Sequence, residues 1–117
     1  MAGLTVVTPA QQHAITYTEA SDYRLKENIT QITDATTRLK KLKPCRFNFR
    51  ADNEKIIRDG FIAHEVSDIV PEAITGEKDA VDNDGNIIPQ GIDQSKLIPL
   101  LVKTIQELEA RITELEK

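Results

Sequence analysis

The sequence predicts an α+β fold: a small mixed domain of helices and short strands that runs into one long C-terminal helix. Three observations carry this. The stretch CRFNFR, Cys45 to Arg50, alternates apolar and polar residues with the period of a half-buried strand. Two short helix-like segments are closed by Pro44 and Pro71. The closing residues repeat Ile and Leu in steps of three and four.

Residues 1–20 differ from the rest. They hold no Lys, Arg or Asp and are rich in Ala, Thr and Gln. Two β-prone pieces, Leu4 to Val7 and Ile15 to Tyr17, could extend a β structure but not build one alone. The charged run SDYRLKENI follows and is expected to be extended or irregular. Asp34 is placed to N-cap a helix from about Ala35 to Leu42, with Leu39 and Leu42 in its apolar stripe. A basic cluster, Arg38, Lys40, Lys41 and Lys43, falls where that helix ends, and cations there offset the helix dipole. After the CRFNFR strand, the polar loop ADNEKIIRDG leads to Phe61–Ala63 as the expected hairpin partner. HEVSDIVPEAI reads as a short helix stopped by Pro71, with Val66, Ile69 and Val70 toward the core. Asp84-Gly85 marks a tight turn between short strands.

In the last segment, Ile98, Leu101, Ile105, Leu108, Ile112 and Leu115 form a heptad seam with Ile at a and Leu at d. Arg111 at g precedes Glu116 at e by five positions, the pairing used between parallel neighbours. Pro99 must fall in the first helical turn. A seam sustained to the final residues predicts self-association rather than simple packing on the parent domain. Side-chain preference by itself favours two strands.

Composition narrows the function classes. The 117 residues suffice for one small domain plus an appendage, and five aromatics without Trp make a thin core. A net charge of −4 argues against general nucleic-acid binding. Cys45 is the single cysteine, so no intrachain disulfide can form, and it reads as a small core residue. No apolar run nears the ~20 residues that span a membrane, and the first residues lack the pattern of a secretory signal.

Most catalytic and metal constellations fail on inspection. Aligning Gly85 with the turn glycine of a calcium loop puts Ala80 at the first ligand position and Gly91 where a bidentate Glu belongs. His13 and His64 with one Cys give no metal-ligand spacing, so no metal and no cofactor is expected. A Ser-His-Asp triad could be composed from Ser21 and His64, but nothing selects it. Ser21 and Lys26 differ in kind. Five residues apart, they stand about 140° apart on a helix and roughly 16 Å apart on a strand. A bend between Ser21 and Leu25 would join them. The lysine could then take the hydroxyl proton if burial, or a neighbouring cation such as Arg24, made it neutral. From spacing alone, Ser21 and Asp22 read as loop or cap residues.

Ser21-Asp22-Tyr23-Arg24-Leu25-Lys26-Glu27-Asn28-Ile29 closely resembles the S-D-x-R-L-K-x-N-I signature of the intramolecular chaperone domain of phage tail spikes and tail fibres. This is the self-cleaving Ser-Lys peptidase family typified by endosialidase tailspikes. The resemblance continues through LKKLKPCRFNF, DGFIAHEV and LIPLLVKTIQELEARI, covering residues 21–117 in order. It implies a homotrimeric domain that registers three fibre chains and then cuts itself off, in the host bacterial cytoplasm during virion assembly. It makes Ser21 the nucleophile and Lys26 its general base, with Asp22, Arg24 and Asn28 in support. His64 and Glu65 match a Gln/His-Glu pair of the family; a surface or capping role for His64 is as compatible as one near the dyad. The implied parts are residues 1–20 as the end of the upstream fibre, 21–96 as the chaperone and peptidase domain, and 97–117 as a parallel trimeric coiled coil. The expected partners are two further copies and the upstream fibre of the same chain, with no nucleic acid and no membrane. Ring size favours cutting at Ala20–Ser21, although cleavage in this family is sometimes placed just after the serine, before Asp22. A scaffold whose Ser-Lys pair does not cut is the alternative; a protease acting on other proteins would need a substrate groove that the sequence does not suggest.

Overall fold

The computed structural model of the chain describes residues 18–117. The expected β-prone pieces at Leu4 to Val7 and Ile15 to Tyr17 lie outside these residues. The chain divides into two compact units, Met1–Gln31 and Ile32–Lys117.

In the first unit, the described part is irregular backbone around one 3-10 turn, Tyr23–Leu25. All its described residues are exposed, so the turn is held by local polar bonds and not by packing.

The second unit is a mixed helix and short-strand body. Helix α1, Ala35–Leu39, is shorter than the sequence suggested, though turn bonds from Lys41 to Arg38 and from Leu42 to Leu39 carry the winding on to Leu42. Asp34 occupies the N-cap with a left-handed φ of 55°, and its side chain makes no capping bond. The cap comes instead from 71 residues downstream. Glu107 accepts from the backbone N–H of Thr36 at 2.8 Å, from its hydroxyl at 2.6 Å and from the N–H of Ala35 at 3.3 Å. Two of the orphan donors of a helix start are satisfied in this way.

Strands β1, Cys45–Phe47, and β2, Arg58–Gly60, pair antiparallel, with Cys45 opposite Gly60 and Phe47 opposite Arg58. The expected partner strand was Phe61–Ala63; pairing falls three residues earlier. A Cβ at position 60 would lie 3.0 Å from Cε1 of Phe47, so glycine belongs where that ring crosses the strand. Phe61 packs against the core instead, and Ala63 already opens helix α2, Ala63–Ser67. Val66 and Val70 are buried and Ile69 is half-buried, as the apolar spacing predicts. Pro71 starts a 3-10 turn, Pro71–Ala73, where its missing N–H leaves no bond unmade.

Strands β3, Ile74–Thr75, and β4, Gly91–Ile92, make a second antiparallel pair. Between them, residues 76–90 form an arm closed by a bridge between Val81 and Ile87. The expected Asp84-Gly85 turn sits at its tip, where Gly85 takes φ +81° at no steric penalty. Asp82 accepts from the N–H groups of Asn86 and Asp84. These bonds hold its carboxyl below the usual carboxylate range, the Asn86 N–H most strongly, and account for the acidic loop as a turn.

A 3-10 turn, Gln94–Leu97, feeds helix α3, Ile98–Leu115, with Pro99 in its first turn as required. Leu97, Leu100 and Thr104 are buried, and α1 packs on α3. The core comprises Ala35, Val66, Val70, Ala73, Leu97 and Leu100, flanked by half-buried Ile32, Leu39, Leu42 and Phe61. Cys45 is half-buried on β1. No helix of the described residues is long and apolar enough to cross a membrane.

Candidate active site

The nine residues from Ser21 to Ile29 build their geometry locally. Asp22 caps the 3-10 turn, accepting from the backbone N–H of Arg24 at 2.9 Å. The N–H of Leu25 donates to the Asp22 carbonyl at 3.0 Å, and that of Lys26 to the Tyr23 carbonyl at 3.2 Å. Each bond closes a three-residue step, and the chain reverses over Tyr23–Leu25. This is the bend that neither a helix nor a strand would supply. It brings Lys26 Nζ within 2.6 Å of Ser21 Oγ, the amine donating to the hydroxyl.

Arg24 does not face the lysine as a free cation, which corrects one expectation. Its guanidinium makes a two-pronged pair with Asp22, Nε to Oδ1 at 3.0 Å and Nη2 to Oδ2 at 2.8 Å. The guanidinium, and then the backbone N–H of Arg24, hold the Asp22 carboxyl below its ordinary range, and the carboxylate raises the guanidinium in turn. A cation neutralised at contact distance exerts little field on a third group. The pair therefore braces the turn. Asn28 has φ 54°, in the left-handed region that asparagine enters more readily than most residues. Its place in the signature is explained by the backbone it permits.

Ser21 and Lys26 are thus brought together, and Asp22 with Arg24 beside them. Ala20 is exposed irregular chain immediately before the serine. His64 and Glu65 belong to the other unit, on α2. His64 is exposed and its carbonyl accepts from the Ser67 hydroxyl at 3.0 Å; Glu65 is half-buried in the first turn of the helix.

The apolar stripe of α3 runs beside its core contacts and outside them. Leu100, Thr104 and Glu107 face the body, whereas Ile98, Leu101, Ile105, Leu108, Ile112 and Leu115 are 41% to 85% exposed. Six large aliphatic side chains are thus left to water along one helix.

Two features were beyond sequence reasoning. The Glu107 cap joins residues 71 positions apart. Thr104, 3% exposed, carries a hydroxyl with no hydrogen-bond partner among the described residues. Neither has a local signature.

Comparison with known proteins bears on the same residues. Residues 21–75 match a peptidase family model described as chaperone of endosialidase. Over 100 residues, the chain is 34% identical to the long tail fiber protein Gp37 of Enterobacteria phage K3 and, equally, to that of Enterobacteria phage T2. The alignment takes in 82% of this chain but 8% of the K3 protein and 7% of the T2 protein.

Proposed function

The chain belongs to the chaperone-of-endosialidase family, and from that premise we propose that it is the assembly chaperone of a tail-fibre precursor. In this reading it joins three chains in register, then releases itself by cutting its own backbone at Ala20–Ser21. Residues 1–20 stay with the fibre; residues 21–96 and the helical segment 97–117 leave together as the chaperone. The tail-fibre relatives support the setting, a host cytoplasm during virion assembly.

One observation carries the chemistry: the 2.6 Å contact between Lys26 Nζ and Ser21 Oγ across a capped turn. A neutral Lys26 amine takes the Ser21 hydroxyl proton as Oγ attacks the Ala20 carbonyl carbon. The ring so formed, Oγ, Cβ, Cα and N of Ser21 with the carbonyl carbon, has five members; attack on the serine's own carbonyl would need a strained ring of four. The tetrahedral centre collapses, the C–N bond breaks, and the Ser21 nitrogen takes up the proton. Ala20 is then held as an ester on Ser21, and water hydrolyses it to a free carboxylate and the restored hydroxyl.

An ammonium donates and does not accept, so the step needs the uncharged amine. Burial is what favours the uncharged amine. Tyr23 and Leu25, between the two dyad residues in sequence, and Ile29, three positions beyond Lys26, are exposed apolar side chains. Their coverage in a trimer would desolvate Lys26, coupling the cut to assembly.

The exposure of both dyad residues also favours a second reading, a trimerisation scaffold that never cuts. Intact mass and denaturing electrophoresis of the chain before and after trimer formation separate the two. Loss of 20 residues on assembly is expected. It should fall by about three orders of magnitude or more in Ser21→Ala, with the trimer retained. A full-length trimer whose mass never changes would leave only the scaffold.

A further inference from the structure

Charge is segregated along the body. The β1–β2 hairpin, residues 45–60, carries four Lys or Arg against three acids, with four further cations at 38–43 in and after α1, whereas the arm, residues 76–90, carries four Asp or Glu against one Lys, in a chain of net charge −4. Each span also exposes apolar side chains. On the β1–β2 hairpin, Phe49 is 58% exposed with the Arg58 guanidinium 5.8 Å above its ring, and Ile57 lies bare nearby in sequence. Lys55 Nζ donates to the Arg50 carbonyl at 2.7 Å, gathering Arg50 and Lys55 into the same loop. Two of the three acids there are engaged: Asp59 pairs with Arg46, and Asp52 accepts the N–H groups of Glu54 and Ile56. Glu54 stays exposed among the cations.

The arm between β3 and β4 is the counterpart. Val81, Ile87 and Ile88 are exposed and, with Glu77 and Asp79, line an open groove of about 300 Å³. Its one cation, Lys78, meets Asp79 at 3.3 Å as an exposed neighbour pair, which holds little energy against a better partner.

We propose that the two patches are halves of one contact between copies of this chain, the basic hairpin of each protomer seating against the acidic arm of the next. The inference rests on the trimeric reading above and names the surfaces that would close it. Symmetry sets the requirement. Three chains around one axis meet through heterologous contacts, in which one surface touches a different surface of its neighbour. A two-fold contact would have to seat both hairpins on both arms at once across a single axis, whereas in a ring each hairpin need only meet the next arm. Apolar centres of opposite rim charge on one chain fit the ring of three. Such complementarity steers encounter and fixes register.

The full chain is tested by native mass spectrometry and sedimentation over a dilution series. Reversing the hairpin (Arg50→Glu with Arg58→Glu) or the arm (Glu77→Lys with Asp79→Lys) should raise the concentration of half-dissociation about tenfold or more. Added salt should weaken the wild-type trimer in the same sense. The four-site combination should return to within about threefold of wild type. Circular dichroism reports that each variant keeps its helix. A trimer indifferent to both reversals, or a combined variant as weak as its two parents together, overturns the contact while leaving the trimer in place. A wild-type chain monomeric at every concentration removes the trimeric reading and this contact with it. Reversals that spare the trimer but abolish binding of an upstream fibre segment would give the arm a different occupant and end the proposal.

Discussion

Residues 18–31 and the body from Ile32 onward hold their shapes by different means. The first buries no residue, and its turn is made by bonds reaching two to five positions along the chain. The body is made by contacts between distant segments: α1 against α3, β1 against β2, a glutamate capping a helix 71 residues away. Local polar bonding gives geometry without stability; long-range packing gives stability without marking any site. A change in one region should therefore leave the signature of the other untouched.

Lys26→Ala is the strongest way to break the comparison from the short side. It should stop backbone cutting by about three orders of magnitude or more, read by intact mass, and leave the urea midpoint of the body where it was. Leu100→Ala is the reverse. That side chain is 3% exposed in a six-residue core, and its truncation should destabilise the body by about 2–5 kcal/mol, read by urea unfolding. The Ser21–Lys26 contact has no share in that loss. A Lys26 variant that unfolds the body would merge the two regions into one cooperative unit.

Smaller effects sharpen the picture inside the body. Thr104→Val removes a buried hydroxyl that has no partner while keeping the side chain's shape, so stability should rise by about 1 kcal/mol. The smallest effect concerns acid. The Thr36 hydroxyl, then the N–H groups of Thr36 and Ala35, hold the Glu107 carboxyl below its reference of 4.5, and Lys103 adds to this. A carboxyl depressed in the fold contributes stability that is complete above the unfolded value and fades as pH falls through the folded one. The thermal midpoint should therefore decline below about pH 4.5, and Glu107→Gln should shallow that decline. Asp52 and Asp82, also depressed by local N–H donors, keep it from vanishing.

What could be read from residues alone follows the same division. The Ser21–Lys26 contact was not legible from spacing and entered only through the resemblance, although the bend that makes it is local: Asp22 caps, Arg24 braces, Asn28 takes the left-handed step, and all lie within seven residues of Ser21. The seam of α3 was legible because periodicity along one helix needs no partner to be seen. The helix over Val66 and the Asp84-Gly85 turn were legible for similar reasons. The partner of β1 was misplaced, since choosing between Arg58–Gly60 and Phe61–Ala63 depends on where the ring of Phe47 lands. Asp34 looked like a helix cap by position, but its left-handed backbone takes the side chain out of play and a distant carboxylate replaces it. Burial, or a neighbouring cation such as Arg24, stood as alternatives for discharging Lys26; the Arg24 guanidinium pairs instead with the carboxylate two positions before it.

The compactness of the Ser21 turn has a kinetic corollary. Hydroxyl, amine and the peptide bond before them fall within seven consecutive residues, so the proposed severing step is first order in the assembled particle. Diluting an already formed complex would leave that rate constant unchanged, and an outside peptide would gain no foothold as a competitor. Only the gathering of chains would answer to concentration, and a time course at two dilutions would resolve a lag that moves from a decay that does not.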